Sequence, residues 1–363
     1  MKIENVDSNM IINKTVSDDG FDLYSVLSKN VDLYGVTYDD ELKCFTRFDN
    51  KIAKQVSDAV DYLSKLTTGG RVRFATNSTH IKIKVKWSNK AKMNQMSSLG
   101  SSGFTLLQNY EDGTYHFMGG YIPDFNADDG YEGVLGCWEE RRKDNGGLRY
   151  YTLNFPLYNE VKELYIGVEK GSILTNGLKY KDIDPILFYG SSITQGGCAS
   201  RADNSYEGFI SKWLNVDYIN IGLAGRCKGE QVLVDYLSNI KCSMFVLDYD
   251  HNAPSVEHLK DTHYNVYESF RKVQPDTPIL IISKPDYNWY PIKCKSKERL
   301  SIIKNTYDRA IANGDKNVYF LDGRKLLKNL YDDCTIEGCH PNDLGFYFMA
   351  KSILKEIKKI LKF

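Results

Sequence analysis

Apolar and polar residues alternate with a period of two through much of the first half of the chain, and the second half exchanges that rhythm for buried runs and helical spacings. The clearest alternation is His80-Ile81-Lys82-Ile83-Lys84-Val85-Lys86-Trp87, where Ile81, Ile83, Val85 and Trp87 point one way and His80 and three lysines the other. Successive side chains of a strand face opposite sides, so the pattern predicts a half-buried strand. Phe104-Thr105-Leu106-Leu107 and Thr114-Tyr115-His116-Phe117 flank Asp112-Gly113, a hairpin signal because such a pair accepts the backbone of a tight turn. Leu164, Ile166 and Val168 alternate again before Gly171 and Gly177 close the region. Several short strands with Gly- and Asn-rich turns predict an antiparallel β-sandwich of jelly-roll type over residues 1–180. Ile52, Val56, Val60 and Leu63 fall on one helical stripe, expected as a short helix laid against that sandwich.

From Asp182 onward strands and helices alternate, the signature of a parallel sheet covered on both faces. Strands are predicted at Ile186–Tyr189, Tyr218–Ile221, Met244–Asp248, Ile279–Ser283 and Val318–Leu321, enough for one three-layer α/β/α domain over residues 181–363. Lys297–Asn313 predicts a helix with Leu300, Ile303, Tyr307 and Ile311 inward. The last helix is expected to open with Pro341, which suits a first helical position, and to carry Phe346, Met349, Ile353, Ile357 and Ile360 inward.

Length and charge narrow the function. The 363 residues suffice for about two domains, and Lys+Arg balances Asp+Glu at 47 each, so no global charge draws the protein to nucleic acid or an anionic membrane. Met1 to Val16 lacks the apolar core of a secretory signal, and no window approaches the roughly 18 apolar residues of a membrane span. A cytoplasmic location is therefore expected. The eight cysteines contain no C-x-x-C pair; reduced, mostly buried thiols and neither a metal site nor a cofactor are the expectation.

Candidate chemistry gathers at the carboxyl ends of the predicted strands, where open α/β sheets form their binding crevice. The first strand ends in Gly190-Ser191-Ser192, the second in Gly222-Leu223-Ala224-Gly225, the third in Asp248-Tyr249-Asp250-His251-Asn252, and Glu337-Gly338-Cys339-His340 precedes the last helix. Acyl transfer to water asks for a nucleophile, a base, a group that orients the base, and donors for the developing oxyanion. Ser192 can attack, His340 can act as base and Glu337 can hold its imidazole, with the Ser192 and Gly225 amides and the Asn252 side chain as oxyanion donors. Asp332 and Asp333 lie just upstream as competing acids.

These blocks give the second half a resemblance to the SGNH (GDSL-type) hydrolases, esterases of α/β/α, flavodoxin-like fold. Gly190-Ser191-Ser192-Ile193 corresponds to the family's first block with Ser192 as nucleophile, Gly225 to its second-block glycine, and Glu337-Gly338-Cys339-His340-Pro341-Asn342 to its last, with Glu337 in place of the usual Asp. The third block departs from the usual Gly-x-Asn-Asp, and Asn252 is assigned as its asparagine, with Asp250 as the alternative. Gly197-Cys198-Ala199-Ser200-Arg201 and Asp248-Tyr249-Asp250 resemble a subgroup in which a β-rich amino-terminal domain precedes the catalytic one, and Gly103-Phe104-Thr105-Leu106-Leu107 corresponds loosely to that subgroup's Gly-x-Asp-Leu-Tyr motif. The resemblance implies a serine esterase cleaving short, acetyl esters of a carbohydrate or related polar alcohol, with a small-molecule substrate and no nucleic-acid or membrane partner. The alternatives are a lipase or thioesterase for longer acyl chains, and a non-catalytic carbohydrate-binding protein that keeps the fold. Arg201, Tyr287, Trp289 and Tyr290 are candidate substrate contacts.

Overall fold

The computed structural model describes residues 6, 20–136, 147–285, 295–327 and 330–363, the side chains at 331 and 332 excepted. The fold is mixed α/β, with a β-rich amino-terminal region, and the chain divides into two compact units. The first comprises Met1–Thr46, Lys65–Lys179 and Ser200–Ala202, and the second Arg47–Ser64, Tyr180–Ala199 and Asp203–Phe363.

The first unit holds two antiparallel sheets. In one, Phe21–Ser25, Glu163–Glu169, His80–Lys86 and Gly130–Gly136 lie in that order; the other runs Leu174–Asn176, Arg71–Thr76, Arg149–Asn154, Phe104–Asn109 and Tyr115–Tyr121, with Asp32–Tyr34 also on Arg71–Thr76. One apolar cluster draws on both sheets, with Ile81, Ile83, Val85, Ile166 and Val168 from the first and Val72, Phe74, Leu106 and Leu153 from the second. The predicted hairpin forms around Gly113, whose φ of +82° supplies the turn, while the Asp112 carboxylate accepts from the Thr114 amide at 2.9 Å. The alternation in His80–Lys86 breaks at one position. Lys82 is buried, because strands flank this one on both sides and its ammonium pairs with Glu132 at 2.7 Å.

In the second unit five parallel strands lie in the order Tyr218–Gly222, Ile186–Gly190, Met244–Asp248, Ile279–Ile282, Val318–Leu321. Their continuous apolar runs suit strands buried on both faces. The first strand in sequence is internal, so the chain crosses over to both sides of it and leaves a crevice at its carboxyl end. Helices Tyr206–Leu214 and Asp343–Leu361 pack together, and Gln231–Ser238, Val256–Val273 and Ser296–Ala312 pack in succession.

Three expectations about helices change. The stripe from Ile52 to Leu63 is two short helices, Asn50–Val56 and Asp58–Ser64, interrupted at Ser57, and both belong to the second unit, where the former packs on Gln231–Ser238. The last helix starts at Asp343, since the Asn342 side chain caps it by accepting from the Gly345 amide at 3.0 Å; Pro341 stands outside, bridged to Thr335. A side chain that satisfies an orphan amide outranks proline as a start signal. Finally, Ser296–Ala312 buries Arg299, Ile303, Thr306 and Ala310 and leaves Ile311 exposed. The helix is turned by a charge, described below. Among the described residues no helix is long and apolar enough to cross a membrane.

Candidate active site

Beyond Gly190 the chain folds back tightly on its own sheet. A Cβ at Gly190 would overlap Thr194 Oγ1 and one at Gly222 would overlap the Gln195 backbone, so the turn seats only against glycine. The two adjacent serines then diverge. Ser191 is buried and its Oγ accepts from the Ile193 amide at 3.1 Å, whereas Ser192 is partly exposed with its Oγ 2.7 Å from His340 Nε2.

Several residues that the motifs do not single out hold this turn. Asn220 Nδ2 donates to the Thr194 carbonyl at 2.7 Å while its Oδ1 accepts from the Gly222 amide at 2.8 Å, and Gln195 Oε1 accepts from the Ala224 amide at 2.9 Å. Buried Arg47 donates to the carbonyls of Gly222 and Leu63 at 2.6 Å each. Tyr206 Oη lies 3.2 Å, and Thr194 Oγ1 3.4 Å, from the Asp248 carboxyl, which burial pushes up to about 8 against the opposing pull of the Tyr206 hydrogen bond. At neutral pH this carboxyl is thus largely protonated. The signal for these residues is a polar side chain inside an otherwise apolar strand or helix, as at Asn220.

The His340 loop is pinned from both ends. The Ile336 amide donates to the His340 carbonyl at 3.0 Å, the Asn342 amide to the Cys334 carbonyl at 3.0 Å, and Gly338 takes a φ of +83° between them. This turn brings Glu337 back over His340, so that Glu337 Oε1 accepts both the His340 amide at 2.9 Å and the Nδ1 hydrogen at 2.6 Å. With Nδ1 donating to a carboxylate, Nε2 is left to accept from the Ser192 hydroxyl. The extra methylene of a glutamate is absorbed by the three-residue turn. Asp333 is exposed.

Asn252 is buried, and its Nδ2 faces the carbonyls of Leu223 at 2.9 Å, Arg226 at 3.2 Å and Gly190 at 3.4 Å. It thereby brackets the turn that carries Gly225, whose φ is +64°. The loop bearing Asn252 is itself held by Asp250, 1% exposed, whose Oδ1 accepts from Arg299 Nε at 2.8 Å and whose Oδ2 accepts from the Lys284 amide at 3.1 Å. The Arg299 guanidinium also reaches the carbonyls of Asp250 and Ala253. This pair rotates the Ser296–Ala312 helix away from its purely apolar face. Arg299→Met leaves the Asp250 charge buried without its partner and is expected to cost about 3–5 kcal/mol of stability. The check is the denaturant midpoint. A change below about 1 kcal/mol would mean that the loop is held without the ion pair.

The remaining sequence candidates are placed only in part. Arg201 belongs to the first unit, where its guanidinium lies 3.8 Å from the centroid of the Phe117 ring. Tyr287, Trp289 and Tyr290 lie outside the described residues. Buried His263 stacks on Tyr249, shares a 2.8 Å hydrogen bond with Thr306 and is pushed down to about 4 by burial, so it is a neutral core residue at pH 7. Cys198 is buried beside the Glu337 carboxylate, Sγ to Oε2 4.0 Å, and burial, then that charge, push its thiol up to about 11.

Comparison with known proteins adds the following. Residues 183–358 match the GDSL-like lipase/acylhydrolase family, and residues 23–174 match the GxDLY family, the N-terminus of esterases of the SGNH-hydrolase type. The latter match takes in Gly103–Leu107, the segment that corresponds loosely to the Gly-x-Asp-Leu-Tyr motif. No curated protein matches. Among solved structures, a protein from Bacteroides ovatus described as a GDSL-like lipase is 28% identical, with a TM-score of 0.83 over 94% of this chain and 98% of its own. A salicylyl-acyltransferase from a tetracycline biosynthetic pathway shares the fold at 15% identity and a TM-score of 0.75, covering 95% of this chain and 98% of its own. So does a family two carbohydrate esterase from Clostridium thermocellum, solved with cellohexaose, at 14% and 0.60 over 81% and 93%.

Proposed function

From a chain that belongs to the GDSL/SGNH hydrolases, its second half matching their lipase/acylhydrolase domain and its first half their N-terminal domain, we propose a serine esterase that hydrolyses short acyl esters, acetyl above all, on a carbohydrate or related polar alcohol. The observation that carries the reading is the continuous hydrogen-bonded path Ser192 Oγ, His340 Nε2, His340 Nδ1, Glu337 Oε1, with links of 2.7 and 2.6 Å. Ser192 attacks the acyl carbon as His340 Nε2 takes its proton, and Glu337 holds the imidazolium that results. The oxyanion receives the Ser192 and Gly225 amides. Asn252 keeps one hydrogen on the Leu223 carbonyl and turns the other, now shared between contacts of 3.2 and 3.4 Å, toward the developing charge. His340 then protonates the leaving alcohol, a water attacks the acyl-enzyme by the reverse route, and the acid departs with Ser192 restored. Hydrolysis of p-nitrophenyl acetate, blocked by a serine-directed phosphonate that labels Ser192, tests the reaction class. A folded protein inert to both would instead be the non-catalytic binding form.

Two observations support short acyl groups on a sugar-like alcohol. Between Gly197 and Gly225 the chain spends its length on the helix Tyr206–Leu214 and the strand Tyr218–Gly222, with no apolar insertion to wall an acyl tunnel. Carbohydrate esterases also stand among the proteins of like fold. In a series of acyl lengths, kcat/KM is expected to be highest for acetyl and to fall toward octanoyl. A buried tunnel would reverse the order, since each added methylene contributes about 0.8 kcal/mol when buried. A rise toward octanoyl would make the protein a lipase or thioesterase.

A further inference from the structure

We propose that Cys198, Glu337 and His340 form an inhibitory site for a thiophilic divalent cation of the zinc type. The three residues offer a sulfur, a carboxylate oxygen and an imidazole nitrogen whose ligand atoms all lie within 4.8 Å of one another. Cys198 Sγ is 4.0 Å from Glu337 Oε2, and Glu337 Oε1 is 2.6 Å from His340 Nδ1. A mixed sulfur, nitrogen and oxygen set selects zinc or cobalt over magnesium or calcium, which take oxygen alone. Ligand atoms around a tetrahedral zinc stand roughly 3.3–3.6 Å apart, so these three need shifts on the order of 1 Å to close on the ion. No spacing in the sequence announces the site, because Cys198 lies 139 residues from Glu337. The cysteine is a free thiol in a left-handed backbone conformation, φ +74°, and the Ala199 amide closes that turn on the Gly196 carbonyl at 3.1 Å.

Binding forms metal bonds to Cys198 Sγ, a Glu337 oxygen and His340 Nδ1. It releases one proton to solvent, from the thiol, while the imidazole stays neutral by carrying its hydrogen on Nε2 instead of Nδ1, and it leaves a fourth position for water. Nothing is oxidised or reduced. The ion then occupies the position of the Nδ1 hydrogen and draws the Glu337 charge to itself. With its hydrogen on Nε2, His340 can no longer accept the Ser192 proton, and hydrolysis stops. The loss of activity rests on the esterase reading; the binding does not.

The two parts are therefore measured separately. In the folded Ser192→Ala protein, cobalt(II) is expected to give a sulfur-to-metal charge-transfer band that is absent from Ser192→Ala/Cys198→Ser, and zinc is expected to displace it. In the otherwise unaltered protein zinc is expected to inhibit p-nitrophenyl acetate hydrolysis reversibly, with EDTA restoring it. Cys198→Ser is expected to hydrolyse at an ordinary rate without metal and to need at least about ten times more zinc, because removing one ligand costs no less than removing a partner that orients one. Cys198→Gly, which meets the positive φ at no steric cost, repeats the test should the serine variant fold poorly. Equal zinc sensitivity with and without Cys198, a cobalt band that survives its removal, or activity lost on EDTA treatment would each overturn the proposal. A Cys198-dependent cobalt band in a protein with no esterase activity would retain the site and discard the hydrolase.

Discussion

Ser192→Ala is expected to lower kcat for acetyl-ester hydrolysis by roughly four to six orders of magnitude, the size of effect seen when a triad serine is removed. That corresponds to about 5–8 kcal/mol of transition-state stabilisation. Without the hydroxyl no acyl-enzyme can form, and the oxyanion donors alone act on a direct water attack. The fold should tolerate the change, because Ser192 is partly exposed and its hydroxyl bonds to the His340 loop. Ser191→Ala is the control that fixes the register. Ser191 Oγ accepts from the Ile193 amide inside the turn, so its loss should cost about 1 kcal/mol of stability and leave a measurable fraction of activity. Rates measured on both variants, with a thermal melt on each, decide the matter. A dead Ser191→Ala beside an active Ser192→Ala would place the nucleophile one residue earlier.

Glu337→Gln is expected to reduce kcat by about two to four orders of magnitude with little change in KM. The carboxylate has two functions that an amide cannot both perform. It stabilises the imidazolium through its charge, and it accepts two hydrogens on one oxygen, from the His340 amide and from Nδ1. A glutamine presenting its NH2 to Nδ1 would force the tautomer that carries the hydrogen on Nε2, which cannot take the Ser192 proton. The loss should fall toward the lower end of that range, since the Glu337 side chain is 44% exposed and water can serve part of its role. Asp333→Asn should change little, the residue being exposed. A near-normal Glu337→Gln enzyme would assign the reaction to a dyad of Ser192 and His340.

How far the chain can be read without its structure differs from element to element. The five strands of the second unit lie within a residue of where their apolar runs predict them, because a strand buried on both faces has no other composition open to it. The hairpin about Gly113 is equally legible, since its turn is a local matter of two residues. Lys82, Arg299 and Pro341 are misread, each for the same reason. A buried lysine, an arginine on an inward helical face and a proline ahead of a cap are decided by partners outside the local window: Glu132, Asp250 and the Asn342 side chain.

The candidate site divides along the same line. Short-range pattern determines that a glycine-bounded turn with two serines follows a buried strand, and that a glutamate stands three residues before a histidine at the mouth of the last helix. Those facts depend on neighbours in the chain, and the sequence contains them. Tertiary structure alone decides that Ser192 and His340, 148 residues apart, meet at 2.7 Å. It likewise brings Cys198 to the same carboxylate and turns the Asn252 amide onto the loop that carries Gly225. Distances of that kind follow from the order of strands in the sheet and from the buried Asn220, Arg47 and Asp250 contacts that hold the loops to it. Each such contact joins residues remote in the chain, and it gains its energy only once the intervening segments have packed and excluded water.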